Sequence, residues 1–99
     1  MNQYGALAQQ HYKRWRPASY AAITDPAAYF TDLGEQAAGE ITALWAQMRD
    51  QAGNPPGEDY LHRVARLNAL RKQAEEVVLA DLILLLPEHD ANEFGLRII

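Results

Sequence analysis

A cluster of basic and aromatic side chains near the start of the sequence is a candidate for nucleic-acid binding. Lys13, Arg14, Trp15 and Arg16 are consecutive and directly follow Tyr12. Cationic side chains can hold phosphates while an aromatic ring stacks on a base. The spacing also places Tyr12 and Trp15 near the apolar face of a helix, and basic residues are common at helix C-termini. A nucleic-acid-associated regulator is therefore an alternative hypothesis and not the first one.

Acidic residues on two predicted helices suggest a divalent-metal site. Asp32 and Glu35 are three residues apart, and an antiparallel neighbour would bring Glu75, Glu76 and Asp81 towards them. Carboxylates around a divalent cation are the chemistry of helical nucleotide pyrophosphatases. Those enzymes have paired acids three residues apart on both helices, and the second pair is missing here. A metal-dependent hydrolase is thus the weaker alternative, and we predict a protein that is not an enzyme, with no catalytic group, cofactor or metal.

A second basic region consists of residues that spread around one predicted helix. They are His62, Arg63, Arg66, Arg71 and Lys72. Acidic neighbours at helical spacing can pair with most of them. We interpret this region as a solvated surface.

The overall composition favours a helical protein of one domain. The chain has 99 residues, of which 48% are hydrophobic, and much of this content is Ala. Ala favours helix but supplies little core volume, which indicates close-packed helices. The net charge of −4 argues against broad attraction to nucleic acid or anionic lipid.

The sequence also favours the cytoplasm over a membrane or an oxidising compartment. It contains no Cys, so it has no disulfide or thiolate–metal framework. The longest apolar run, 77–86, is too short to span a bilayer and contains Asp81. The start of the chain lacks the pattern of a signal peptide. We therefore predict a cytoplasmic protein with no membrane contact.

Apolar periodicity and capping residues predict three helices, at about 2–15, 26–51 and 58–86. Pro17 ends the first helix and is followed by a connector, 17–25, with room for one helical turn at 19–22. Asp25 can cap the second helix, and Pro26 suits its first position. Gly53 can end that helix, and the third helix begins either after Asn54 or near position 58. Pro87 ends it.

These elements predict an all-α fold. The short connection around position 55 makes the second and third helices an antiparallel hairpin, with the N-terminal helix packed across it as a small three-helix bundle. Gly34 and Gly39 interrupt the second helix, either as a patch for close helix packing or as a kink. We favour close packing because the apolar stripe keeps its phase on both sides.

The end of the third helix and the tail after it, 88–99, hold more apolar side chains than one short helix can cover. We predict that they form a protein interface. The predicted interface residues are Val77, Val78, Asp81, Leu82, Leu85, Phe94, Leu96, Ile98 and Ile99.

Asp81 lies within this apolar run, and an ionised carboxylate there is costly unless it is paired. Two interpretations are equally compatible with the sequence. Asp81 either pairs with Arg14, Arg16, Arg97 or a residue of another chain, or it lies at the edge of the apolar surface and reaches water.

The first hypothesis for function is an interaction protein. It would be either a homodimer or a small subunit or inhibitor that docks on a larger protein. In size, acidity and Ala content the chain resembles the small proteins of phages and other mobile elements in GC-rich bacteria. Some of those block host enzymes or nucleases, so the resemblance implies a role as an inhibitor.

Overall fold

The computed structural model describes residues 1–87, which form an all-α bundle without β-strands in that range. The helices are α1 (Gln3–Trp15), α2 (Pro17–Ala21), α3 (Pro26–Ala52) and α4 (Tyr60–Val78), and a π-helical turn (Leu79–Ile83) follows. Helix α3 packs against both α1 and α4. The predicted fold class is confirmed. The predicted tail, 88–99, lies outside the described residues.

The caps of α3 follow from its sequence. The Asp25 side chain accepts a hydrogen bond from the Ala28 amide (3.2 Å), and Pro26 occupies the first helical position. At the other end Gly53 has a φ of 65° and donates its amide to the Arg49 carbonyl (3.0 Å). Glycine suits this position because a Cβ disfavours positive φ.

Helix α4 differs from the prediction at both ends. It begins at Tyr60, where the Asp59 side chain accepts from the His62 amide (2.8 Å). Its α-helical part ends at Val78, and Leu84 leaves helical geometry with φ −90° and ψ 57°. Pro87 disfavours helix at the residue before it. Two donors near the C-terminal end of α1 bond to the carbonyls beyond this exit: His11 Nε2 donates to Leu85 O and Arg16 Nη1 donates to Leu86 O, both at 2.6 Å.

The closest approach between helices is where α1 crosses α3 at two glycines. A Cβ placed on Gly34 would lie 2.6 Å from the Gly5 backbone nitrogen, so the backbones touch there. The predicted close packing therefore occurs at Gly34. It does not occur at Gly39, which is exposed and where a Cβ would meet no neighbouring atom within 4 Å.

Asn2 stabilises this crossing with two hydrogen bonds, one from each polar atom of its side-chain amide. Its Oδ1 accepts from the Gly5 amide, which caps α1, and its Nδ2 donates to the Gly34 carbonyl of α3; both distances are 2.9 Å. One short side chain thus begins a helix and attaches it to its neighbour.

The hydrophobic core lies where α1, α3, α4 and the π-helical turn meet. Phe30 is fully buried and contacts the rings of Tyr12, Tyr20 and Tyr29, with centroid distances of 5.2, 5.9 and 5.0 Å. The complete set of buried apolar side chains in the described residues is Tyr4, Ala8, Tyr12, Phe30, Ala37, Ile41, Ala74, Val78 and Ile83. No residue of this set lies between Ile41 and Ala74, so the core occupies only one end of the hairpin.

Alanine substitutions at the two glycines of α3 should have opposite effects. Gly34→Ala should lower the free energy of unfolding by about 1–3 kcal/mol, because its methyl group would overlap the α1 backbone. Gly39→Ala should raise it by roughly 0.5–1 kcal/mol, because the site is open and Ala favours helix. Urea unfolding followed by circular dichroism measures both. Equal effects of the two substitutions would contradict the assigned crossing.

Candidate protein-docking surface

The hairpin extends well beyond α1, and this two-helix part, 42–52 with 60–71, is called the hairpin arm. Helix α1 begins beside Gly34, which Asn2 contacts, and beside Glu75, whose carboxylate accepts a hydrogen bond from the Tyr4 hydroxyl (2.9 Å). Past these residues α3 and α4 cover each other but have no third helix among residues 1–87. The described chain is accordingly elongated, 62 × 34 × 19 Å.

The solvent exposure of side chains along one stripe of α4 increases with distance from α1. Residues 60, 64, 67, 71, 74 and 78 recur at helical spacing and share a face. On this face Val78 is 5% exposed and Ala74 is fully buried, whereas Val64 is 37% and Tyr60 is 76% exposed. Leu61 beside them is 77% exposed. Leu67 and Arg71, between these positions, are half-buried, so the face that forms the core near α1 loses its cover towards the tip of the arm, at Val64 and Tyr60.

Trp45 joins the two helices of the arm. Its indole Nε1 donates a hydrogen bond to the backbone carbonyl of Leu67 (3.0 Å). The guanidinium groups of Arg49 and Arg71 lie over its ring, 4.2 and 5.3 Å from the centroid. Such cation–π contacts hold both arginines against the arm.

Arg71 lies at the end of the arm nearest to Glu75, the residue of α4 that Tyr4 of α1 contacts. Burial and the hydrogen-bonded Glu75 carboxylate raise the pKa of Tyr4, and the positive charge of Arg71 opposes this rise in pKa. Arg71 is one helical turn before Glu75, which bonds to Tyr4, and its guanidinium group lies over the Trp45 ring.

A cleft of about 370 Å³ opens on the arm, and its lining is mostly polar, with two arginines and one leucine. Arg49 and Asp50 line it from α3, and Arg63 and Leu67 line it from α4. Two positive charges and one negative charge thus line the cleft, and a second carboxylate, that of Glu58, lies 3.7 Å from Arg63 Nε.

Glu58 ties the loop at the tip of the arm to α4. Both of its carboxylate oxygens accept hydrogen bonds from Arg66, at 2.9 and 3.0 Å, and Arg63 Nε lies 3.7 Å away. Arg66 also donates to the Asn54 side chain (3.1 Å). The hydrogen bonds from Arg66 lower the pKa of the Glu58 carboxyl, and the same pairing raises the pKa of Arg66.

The predicted interface at the end of the hairpin divides into buried and exposed residues. Val78 belongs to the chain's own core, and Leu82 and Leu85 are half-buried against it. Val77 is 51% exposed and Asp81 is exposed, so the Asp81 carboxylate reaches water at the edge of the apolar surface. The remaining predicted interface residues lie outside the described residues, as does Arg97; they are Phe94, Leu96, Ile98 and Ile99.

The predicted basic–aromatic cluster is partly engaged in the fold. Arg16 lies over the Tyr12 ring (5.6 Å to the centroid) and holds the Leu86 carbonyl. Lys13 lies 5.5 Å from the centroid of the Tyr20 ring. Arg14 and Trp15 stack on each other at 4.9 Å, and Trp15 is 44% exposed. Only this last pair presents both a cation and an aromatic surface to solvent.

The acidic residues considered for metal binding are not brought together. Within residues 1–87, no three His, Asp or Glu side chains lie close enough to hold a metal ion. Glu75, one of the candidates, instead accepts the hydrogen bond from Tyr4. In the same range no helix combines the length and hydropathy that crossing a bilayer requires.

Comparison with models of known protein families, with curated protein sequences and with solved structures finds no match to this chain. The geometry of the chain itself therefore carries the functional argument.

Sequence reasoning did not identify the arm as a candidate site. Its basic residues were interpretable as a solvated surface, because helical spacing alone does not show that Arg49 and Arg71 meet on Trp45. One signal was present in the sequence: Tyr60, Val64 and Leu67 continue the stripe of Ala74 and Val78. The predicted first helix, about 2–15, is too short to cover that whole stripe.

Acid should destabilise the arm through Glu58. Its folded-state pKa is lowered from the ordinary value of 4.5, so its stabilising contribution is complete above that pH and is lost as the pH falls through the lowered pKa. We expect the stability of the wild type to fall more than that of Glu58→Gln between about pH 6 and pH 3. Glu35→Gln, an exposed carboxylate on α3, is the control and should retain the acid dependence of the wild type. Chemical denaturation at each pH measures this difference, and parallel pH profiles for wild type and Glu58→Gln would contradict it.

Proposed function

We propose that this chain is a non-enzymatic protein-interaction module that docks on another protein through the hairpin arm. The observation that carries the proposal is the loss of cover along one continuous face, from Val78 at 5% exposure to Tyr60 at 76%. Apolar surface that continues a core and is rimmed by charged residues is typical of a docking site.

The aromatic and basic composition of the arm supports the same proposal. Trp, Tyr and Arg are the residue types that most often dominate the energy of protein interfaces. Trp45, Tyr60, Arg49 and Arg71 place all three types on the arm. Trp45 and its two arginines are already ordered by mutual contacts, which reduces the entropy lost when a partner binds.

The apolar end around Val77 stays a second predicted contact region. Val77, Leu84 and Leu86 are 51%, 43% and 83% exposed. The chain continues from this region into 88–99, which lie outside the described residues, whereas the arm is described in full. The homodimer, the inhibitor role and the cytoplasmic location likewise stay predictions.

The arm can be tested against the apolar end with matched substitutions. Leu61→Ser/Val64→Ser removes apolar side chains of the arm, and Val77→Ser removes one at the other end; all of these residues are at least 37% exposed, so the fold should persist. A protein of the native host that is recovered on the tagged wild type should bind the arm variant at least roughly tenfold more weakly. Its binding to Val77→Ser should be unchanged. Dissociation constants measured with that purified partner decide the question.

The opposite ranking, with Val77→Ser weakened and the arm variant unchanged, would place docking at the apolar end. Failure of all three proteins to retain any partner would contradict an interaction module. Circular dichroism of each variant controls for folding.

A further inference from the structure

We infer that residues 94–99, the last part of the tail, pack in a groove of the same molecule beside α1. This groove lies between α1 and the end of α4 with the π-helical turn, and it is called the α1 groove. Its lining residues are Gln3, Tyr4, Leu7, Glu75 and Leu79. The acidic residues 88–93 then lie along the basic end of α1. The inference concerns a surface separate from the hairpin arm and does not rest on the proposed function.

The α1 groove is open and partly apolar. Its volume is about 320 Å³, and among residues 1–87 only α1, α4 and the π-helical turn line it. Leu7 is 37% exposed on one side, and Leu79 is half-buried on the other. Gln10 and Arg14 continue the stripe of Leu7 along α1 at helical spacing, and both are exposed. The groove thus opens onto an exposed face of α1 that leads to the C-terminal end of this helix.

The tail begins at that same end of α1. Helix α1 and the end of α4 run in the same direction, because the contacts between them occur in the same order along both. These contacts join Tyr4 to Glu75, His11 to Leu85 and Arg16 to Leu86. The bond from Arg16 fixes the point from which the tail continues, and a tail that turns back from there runs along α1 towards the groove.

The polar part of the tail is long enough to reach the groove. Leu7 precedes Arg16 by nine residues, which corresponds to about 14 Å along a helix. The six residues 88–93 span up to about 20 Å when extended. Phe94 can therefore lie at Leu7. A tether of this length gives the tail an effective concentration on the order of millimolar at the groove, with which a separate molecule would have to compete.

The last part of the tail has the apolar side chains that the groove requires. Four of the six residues 94–99 are large and apolar, namely Phe94, Leu96, Ile98 and Ile99. The removal of such side chains from water is favourable, and so is the removal of the exposed surface of Leu7. Packing within one molecule achieves both without a partner.

The charges of α1 and of the tail are complementary. Residues 1–24 contain three basic residues, Lys13, Arg14 and Arg16, and no acidic residue, which gives a charge of +3. Residues 88–93 contain three carboxylates and no Lys or Arg, which gives −3. Within residues 1–87, the ion pairs involve none of the three basic residues of α1 and its cap. The tail therefore carries the opposite charge where it passes these cations.

Two individual groups support the same path. The buried Arg16 Nε has no hydrogen-bond acceptor within residues 1–87, and Arg16 holds the Leu86 carbonyl, just before the first carboxylates of the tail. A tail carboxylate there would satisfy this donor. At the other end of the path, Glu75 lines the groove, and Arg97 is the only basic residue of 88–99. The acidic-then-basic order of the tail thus matches the basic-then-acidic order along the groove.

Spin labels test the inference in the full-length protein, which contains no native Cys. A nitroxide on Gln10→Cys lies on the stripe of α1 beside the groove, and one on Gln51→Cys lies near the tip of the hairpin; both positions are exposed. We expect the label at position 10 to cause loss of the amide NMR signals of 94–99. The label at position 51 should leave these signals unchanged. Unchanged signals with the label at position 10 would overturn the inference.

A mixed sample separates packing within one molecule from exchange between two copies. Isotope-labelled wild type is mixed with spin-labelled Gln10→Cys that carries no isotope. The signals of 94–99 should then keep their intensity. Their loss in this mixture would show that the groove binds the tail of a second copy and would overturn packing within one molecule.

A substitution in the groove tests where the tail binds. In Leu7→Ser, the amides of 94–99 should exchange with solvent at least roughly tenfold faster than in the wild type. Val77→Ser, whose residue points away from Glu75 and Leu79 by helical spacing, is the matched control and should not change their exchange. Circular dichroism verifies that both variants are folded. Equal exchange of 94–99 in Leu7→Ser and wild type would overturn the assignment to the α1 groove.

Discussion

The structure depends on one contact, the crossing of α1 over α3 at Gly5 and Gly34. The two backbones meet there without intervening side chains, and Asn2 both caps α1 and bonds to the Gly34 carbonyl. Because this crossing lies at the first turn of α1, it fixes where the third helix of the bundle stops. Beyond Gly34 and Glu75, towards the tip of the hairpin, the described part of the chain consists of α3 packed against α4.

This position of α1 divides the hairpin into two energetically different halves. Near α1, Phe30, Ile41 and Ile83 are fully buried, and the aromatic rings around Phe30 add contact energy beyond their buried area. On the arm, half-buried side chains are held by Trp45, its two arginines and the pairing of Glu58 with Arg66. No side chain of the arm is fully buried, so the arm depends on its attachment to the three-helix end.

Much of the fold was predictable from the sequence, because its signals are local. Asp25 with Pro26 and Gly53 define α3 through capping chemistry that the sequence displays directly. The early end of α4 was not predictable, since it depends on donors from His11 and Arg16, more than 60 residues away. For the same reason the roles of Gly34 and Gly39 separate only in three dimensions: their local sequences look alike, and only Gly34 meets α1.

No sequence motif identifies the proposed docking surface. It is exposed because of the positions at which the helices begin and end. Tyr60 and Val64 have the same spacing as buried core residues, but they lie in the first two turns of α4, where α3 is the only described helix that packs beside it. Amide hydrogen exchange of the isolated chain tests this most directly. We expect the amides of 44–52 and 60–70 to exchange at least roughly a hundredfold faster than those of 30–41 and 74–78. Equal protection along the whole hairpin would contradict an arm left open by α1.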